Sequence, residues 1–226
     1  MADDFKSSME CGSQPCRPAS AGLTAEKHEA MRLGLTEDIE LARAAPGSIL
    51  HADKIAWQYG AAQEALPPVI AELESRGLLR REGANWRVAP IDREALLPKL
   101  EVRFALEQEV AEAAAGNVSA INRQEVAMLV GNLRRAALVG DIDGYMRSDR
   151  LLEKALAAAS GIPETAAKLS GIKSELRRAW CAQNRLGDLS VPADLSGALV
   201  DAILNEDAKG AREAVSRFVE YLRQSM

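Results

Sequence analysis

The stretch PGSILHADKIAWQYG, residues 46–60, decides the fold. Pro46-Gly47 closes a helical run from Leu23 to Ala44, because proline lacks the amide hydrogen a helix needs and glycine favours turns. Ala52 to Gln58 then form one short helix, which ends before Gly60. Beyond it Leu66, Ile70 and Leu73 recur at helical spacing, and Gly77 supplies the C-cap. The pieces LLRRE (78–82) and NWRVAP (85–90) flank Gly83-Ala84 and read as a β-hairpin. Three helices followed by a hairpin make a winged helix-turn-helix.

After Pro90 the pattern is helical to the end, with breaks near Gly116, Gly140, Gly161 and residues 187–192. The intervening segments of about 14 to 25 residues suit an antiparallel helical bundle. The expected fold class is therefore mostly α, an N-terminal winged helix-turn-helix followed by an all-helical C-terminal domain. Residues 1–22, rich in Ser, Gly and Pro and without periodicity, read as a disordered tail; the first domain spans 23–91 and the second 92–226.

Composition narrows the partners. With 28 Lys and Arg against 33 Asp and Glu, the chain has no overall basic field, so any nucleic acid must be held by a local patch. Cys11, Cys16 and Cys181 form neither a disulfide framework nor a paired zinc motif, which fits a reducing compartment. No apolar run reaches the roughly 18 residues of a membrane span, and the start MADDFK lacks the features of a signal peptide. A cytoplasmic protein without membrane contact is expected.

The 46–60 string, the phrase ELESRGLLRRE (72–82) and the closing RVAP (87–90) resemble the DNA-binding domain of the GntR family. EVRFALEQEVAEAAA (101–115), GDIDGYMRSDRLLEKALAAASG (140–161) and ALVDAILNEDAKGAREAVSRFVEYL (198–222) resemble FCD, the helical effector domain of its fatty-acid-regulator branch. The resemblance implies a homodimeric, ligand-responsive transcriptional regulator, not an enzyme, with operator DNA and a small effector as partners. Fold alone does not carry function, so each site is weighed by its chemistry.

At the DNA-reading turn, where the family usually has Gly-Val-Ser-Arg and Val-Arg-Glu, this chain has Gly60-Ala61-Ala62-Gln63 and Leu66-Pro67-Pro68. Two consecutive prolines fit only the first turn of a helix, so the second helix of the motif should begin near Leu66. Candidate DNA-facing residues are Lys54, Gln63, Arg80, Arg81 and Arg87. Between residues 51 and 88 five basic residues are balanced by five acidic ones. Two readings stand: Gln63 and Lys54 read bases while the wing arginines hold phosphates, or the winged helix is a relic used for dimerisation or partner binding.

In the second domain, Ile142, Tyr145, Asp149, Leu152 and Leu156 are spaced 3, 4, 3 and 4 apart, which sets a carboxylate in an apolar helix face. The resemblance implies that this aspartate is often a metal ligand, joined by three histidines. Here the aligned positions are Glu153, Ser196 and Phe218, which exclude an imidazole-rich transition-metal site. No cofactor is expected. Candidate effector-binding residues are Arg103, Asp149, Glu153, Arg177, Ser196 and Phe218. In one reading they form a metal-free, partly apolar pocket in which Arg103 clamps a small anionic effector. In the other, Phe218 fills the old cavity and Asp149 pairs with Arg103 or Arg177 as a structural bridge. Glu107, four residues after Arg103, is placed to orient it, and Trp180 reads as core. An acid–base pair of Asp149 and Glu153 is a weaker rival, since two carboxylates alone define no reaction.

The histidine-free ligand set yields a direct expectation. Elemental analysis of the purified protein should find no stoichiometric zinc, nickel or manganese, and chelator should leave its melting temperature unchanged. One such ion per chain in the C-terminal domain would overturn the alignment of these positions.

Overall fold

The computed structural model describes residues 25–183 and 188–225; the expected tail, residues 1–22, lies outside them. The first helix, α1 (Ala25–Glu40), leads through strand β1 (Ile49–Leu50) to α2 (Ala52–Gln58), a 3-10 turn (Gln63–Ala65) and α3 (Leu66–Ser75). Strands β2 (Leu79–Glu82) and β3 (Asn85–Val88) form the hairpin. The sheet runs β1-β3-β2, antiparallel throughout, with Leu50 opposite Trp86 and Arg81 also opposite Trp86 on the other side. The hairpin was legible in the sequence; the two-residue strand β1 is too short to show an alternating pattern.

The prolines act as expected. Pro67 and Pro68 follow Leu66 in the first turn of α3, where no intrahelical donor is required, and the residues before it fold as the separate 3-10 turn. The helix expected to reach Ala44 instead stops at Glu40, and Ala42 takes a left-handed φ of 53°. That turn carries Leu41 and Ala42 out of the head and into the core of the second domain. Met31, Leu35, Ile39, Val69, Leu73 and Val88 are packed in the head's own core. Gly34 leaves room on α1 for the Tyr59 ring: a β-carbon there would lie 2.7 Å from the Tyr59 hydroxyl.

The second domain consists of α4 (Leu96–Ala115), α5 (Arg123–Val139), α6 (Ile142–Ser160), α7 (Pro163–Gln183), α8 (Ser190–Leu204) and α9 (Ala208–Ser225), with a 3-10 turn at Val118–Ala120. Side chains cap the starts of these helices: Asn122 accepts from the Glu125 amide, Asp141 from Gly144 and Asp207 from Gly210. Gly140 and Gly161, both at φ 69°, end α5 and α6 in the left-handed conformation that glycine adopts without strain. Among the described residues no helix is long and apolar enough to cross a membrane.

The two cores are tied together by polar contacts. Arg178 of α7, only 6% exposed, donates to the carbonyls of Ala89 and Pro90 at the exit of β3. Arg150 of α6 pairs with Glu37 of α1 at 2.8 Å, and Arg43 pairs with Asp143. Removing Arg178 takes the charged donor from the buried Ala89 carbonyl and from that of Pro90, so Arg178→Ala should lower the unfolding free energy by about 1.5–3 kcal/mol in urea titration. An unchanged midpoint would show that the domain junction does not depend on it.

Candidate effector cavity and DNA-reading face

A partly open cavity of about 800 Å³ lies among the helices of the second domain and reaches Glu40, Arg76 and Leu78 of the first, a size within the range of small-molecule sites. All six residues singled out from the sequence, Arg103, Asp149, Glu153, Arg177, Ser196 and Phe218, line it. They come from α4, α6, α7, α8 and α9, so only the tertiary fold brings them together. Val110, Leu152, Leu156, Leu169, Leu176 and Leu199 provide apolar walls.

The polar side is a ladder of ion pairs. Arg103 donates through Nε to Glu107 at 2.7 Å, and its guanidinium lies 5.2 Å from the centre of the Phe218 ring. Lys173 bridges Glu107 at 2.6 Å and Glu153 at 3.0 Å. Arg177 then donates to Glu153 at 2.8 Å and to Asp149 at 3.2 Å. Of the two pairings left open by the sequence, Asp149 therefore adopts the one with Arg177, while Arg103 is oriented by Glu107. The Nη1 edge of Arg103 has no partner among the described residues, although the side chain is only 6% exposed.

The charges set the ionisation of the site. Burial alone would raise Glu107, but Arg103 and Lys173 outweigh it and hold its carboxyl at about 2. Glu153 is likewise held at about 2, burial being overcome by Arg177 and Lys173. Asp149 goes the other way: burial and the neighbouring Glu153 raise it above the usual aspartate value, and Arg177 only partly offsets them.

A metal held in the manner the resemblance implies does not fit these residues. Glu153 and Asp149 are already engaged by Arg177 and Lys173, Ser196 and Phe218 offer no imidazole, and no cluster of three or more His, Cys, Asp or Glu ligands occurs among the described residues. The cations of α7 stand against the carboxylates instead. Lys173 was missed from the sequence, yet it lies one helical turn before Arg177, and the i, i+4 rule could have supplied it.

Glu40 could not have been found that way. It ends α1 in the head, is 5% exposed, and lines the same cavity. Ser174 donates to it at 2.5 Å, and Arg76, Arg150 and Arg177 lie at 3.4, 3.7 and 3.9 Å. Arg76 is the C-cap of α3, so one carboxylate touches both the ladder and the end of the helix that follows the 3-10 turn.

In the head, Lys54 on α2, Gln63 in the 3-10 turn and Arg80 and Arg81 on β2 are all exposed. Arg80 and Arg81 make no ion pair with any described residue. Arg87 differs: it pairs with Glu82 and donates through Nη1 to the Gly47 carbonyl at 2.6 Å, bracing the wing against β1. The start of α3 has no side-chain cap, and two of its first three residues lack an amide hydrogen, which weakens it as a phosphate cradle.

The FCD domain family matches residues 99–221, more than half of the chain. No curated protein is matched in sequence. Among solved structures, E. coli McbR/YncC is similar with a TM-score of 0.78 at 17% identity, over 89% of this chain and 99% of that one. A GntR transcriptional regulator from Rhodococcus sp. RHA1 gives 0.71 at 15%, over 89% and 98%, and Streptococcus agalactiae GntR gives 0.50 at 21%, over 88% and 100%. At such identities the likeness is one of fold. The chain thus belongs to the FCD-domain family, on a fold shared with GntR-type transcriptional regulators.

Proposed function

We propose that this chain is a GntR-type transcriptional regulator that acts as a homodimer, reads operator DNA through residues 23–91, and binds a small anionic, partly apolar effector through residues 92–226 without a metal. The observation that carries this reading is the cavity itself: an enclosed arginine with an uncommitted edge and apolar walls, reaching Glu40 and Arg76 of the head. Arg103 clamps the anion, Phe218 lies against the guanidinium, and Ser196, Asp149, Glu153 and Arg177 complete the polar side. The effector reaches the head through Arg177 and Glu40, because an anion that draws on the ladder changes the charge balance at the end of α1.

On DNA, Arg80 and Arg81 hold phosphates and Gln63 and Lys54 face bases, with Arg87 supporting the wing. The head lacks a guanidinium at the groove-facing turn, and each missing bidentate contact removes about 1–3 kcal/mol of base discrimination. Binding is consequently expected to be salt-sensitive and modest in specificity. A two-fold reader needs two heads for two half-sites, which supports the homodimer.

Fluorescence anisotropy against DNA upstream of its own coding region, at low and near-physiological salt, tests the reading. Arg80→Ser with Arg81→Ser should weaken every sequence alike and reduce the salt slope by about 2. Gln63→Ala should change preference at one base position. If specific binding survives near-physiological salt and ignores both changes, the reading head lies elsewhere. If no fragment binds even at low salt, the chain is a small-molecule- or partner-binding protein that has lost operator reading. Light scattering should give a dimer at micromolar concentration, and a strict monomer would contradict the regulator.

A further inference from the structure

One part of the cavity is left unsatisfied by the protein's own groups. Tyr145 and Asp149 stand one turn apart on α6, and Ser196 on α8 lies beside the Tyr145 hydroxyl. Tyr145 is only 3% exposed, yet its hydroxyl makes no hydrogen bond of normal geometry. Asp149 accepts from Arg177 through Oδ2 alone, and no described residue donates to Oδ1. An enclosed phenol without a partner destabilises a fold, so a protein that keeps one has another use for it.

We propose that Tyr145, Asp149 and Ser196 form a second polar subsite that receives a hydroxyl group of the effector, whose class is then a hydroxylated carboxylic acid with an apolar body. This rests on the reading of the cavity as an effector site with Arg103 as the anion clamp. The ligand hydroxyl donates to Asp149 Oδ1 and accepts from the Tyr145 phenol, which pairs both idle groups at once. Charge selects a neutral group over the alternatives. An ammonium would crowd Arg177, which already holds Asp149, and Lys173, 3.0 Å from Glu153. A second carboxylate would meet Asp149 and Glu153 directly. The leucines along α6, α7 and α8 then enclose the apolar body.

Calorimetric titration of the full chain with two matched pairs tests the assignment: 3-phenylpropanoate against 3-phenyllactate, and octanoate against 3-hydroxyoctanoate. In at least one pair the hydroxy acid should bind about tenfold more tightly or better. Tyr145→Phe should erase that gain while leaving the plain acid within about twofold, and, having lost only an unpaired hydroxyl, should melt no lower than wild type without ligand. Ser196→Ala should reduce the gain as an independent check. Plain and hydroxy acids that bind equally, but not to Arg103→Ala, would overturn the subsite and leave the anion clamp standing. A hydroxyl preference that survives in Tyr145→Phe would overturn it too. If no acid binds the wild type, the anion-clamp reading fails and this assignment fails with it.

Discussion

A ladder of three buried cations and four carboxylates lines the cavity of this protein: Arg103, Lys173 and Arg177 against Glu107, Asp149, Glu153 and Glu40. Taking an ion out of water costs several kcal/mol, which only close pairing repays, so each of these groups constrains its neighbours. The ladder fixes α4, α6 and α7 relative to one another and holds the end of α1 against them. It also keeps one wall of the cavity polar where an apolar core would otherwise close. Asp149 is the least well served member, sharing Arg177 with Glu153, and burial raises its carboxyl for that reason.

The same ladder gives the proposed regulator a way to join its halves. Glu40 belongs to the head but sits among groups of the second domain, and Arg76 carries its contact to the end of α3. Leu41 and Ala42, buried in the core of the second domain, hold that joint from the apolar side. A ligand influences a distant helix only through interactions that differ between two states. Here the differing element would be the pairing of Arg177, which is divided among Glu40, Asp149 and Glu153.

Much of this was legible in the sequence because its signals are local. The short helix Ala52–Gln58, the start of α3 at Leu66 and the left-handed caps at Gly77 and Gly140 follow from proline and glycine chemistry within a few residues. Asp149 was legible for another reason, since a carboxylate in an apolar stripe demands a partner wherever it folds, while Glu153, Ser196 and Phe218 were reached through the resemblance to the FCD domain. Strand β1 was not legible, because its pairing with β3 is set across more than thirty intervening residues. Glu40 carries no local signal that sets it apart from other acidic residues of the chain. Its role comes from domain packing, which places Ser174, Arg150 and Arg177 around it.

Unfolding free energy measured from pH 7 to pH 3, for wild type and Lys173→Met, tests the ladder most directly. Glu107 and Glu153 are held at about 2, below their ordinary 4.5. Their contribution is therefore full above pH 4.5 and declines as pH falls toward 2, because unfolding then takes up protons. Lys173→Met should cost about 1–3 kcal/mol at pH 7, since it takes the shared cation from two buried carboxylates and leaves Glu107 only Arg103 and Glu153 only Arg177. That deficit should shrink as the pH falls and the carboxylates protonate. Equal stabilities at pH 7, or two curves that stay parallel down to pH 3, would mean that the buried charges do not hold the cavity together.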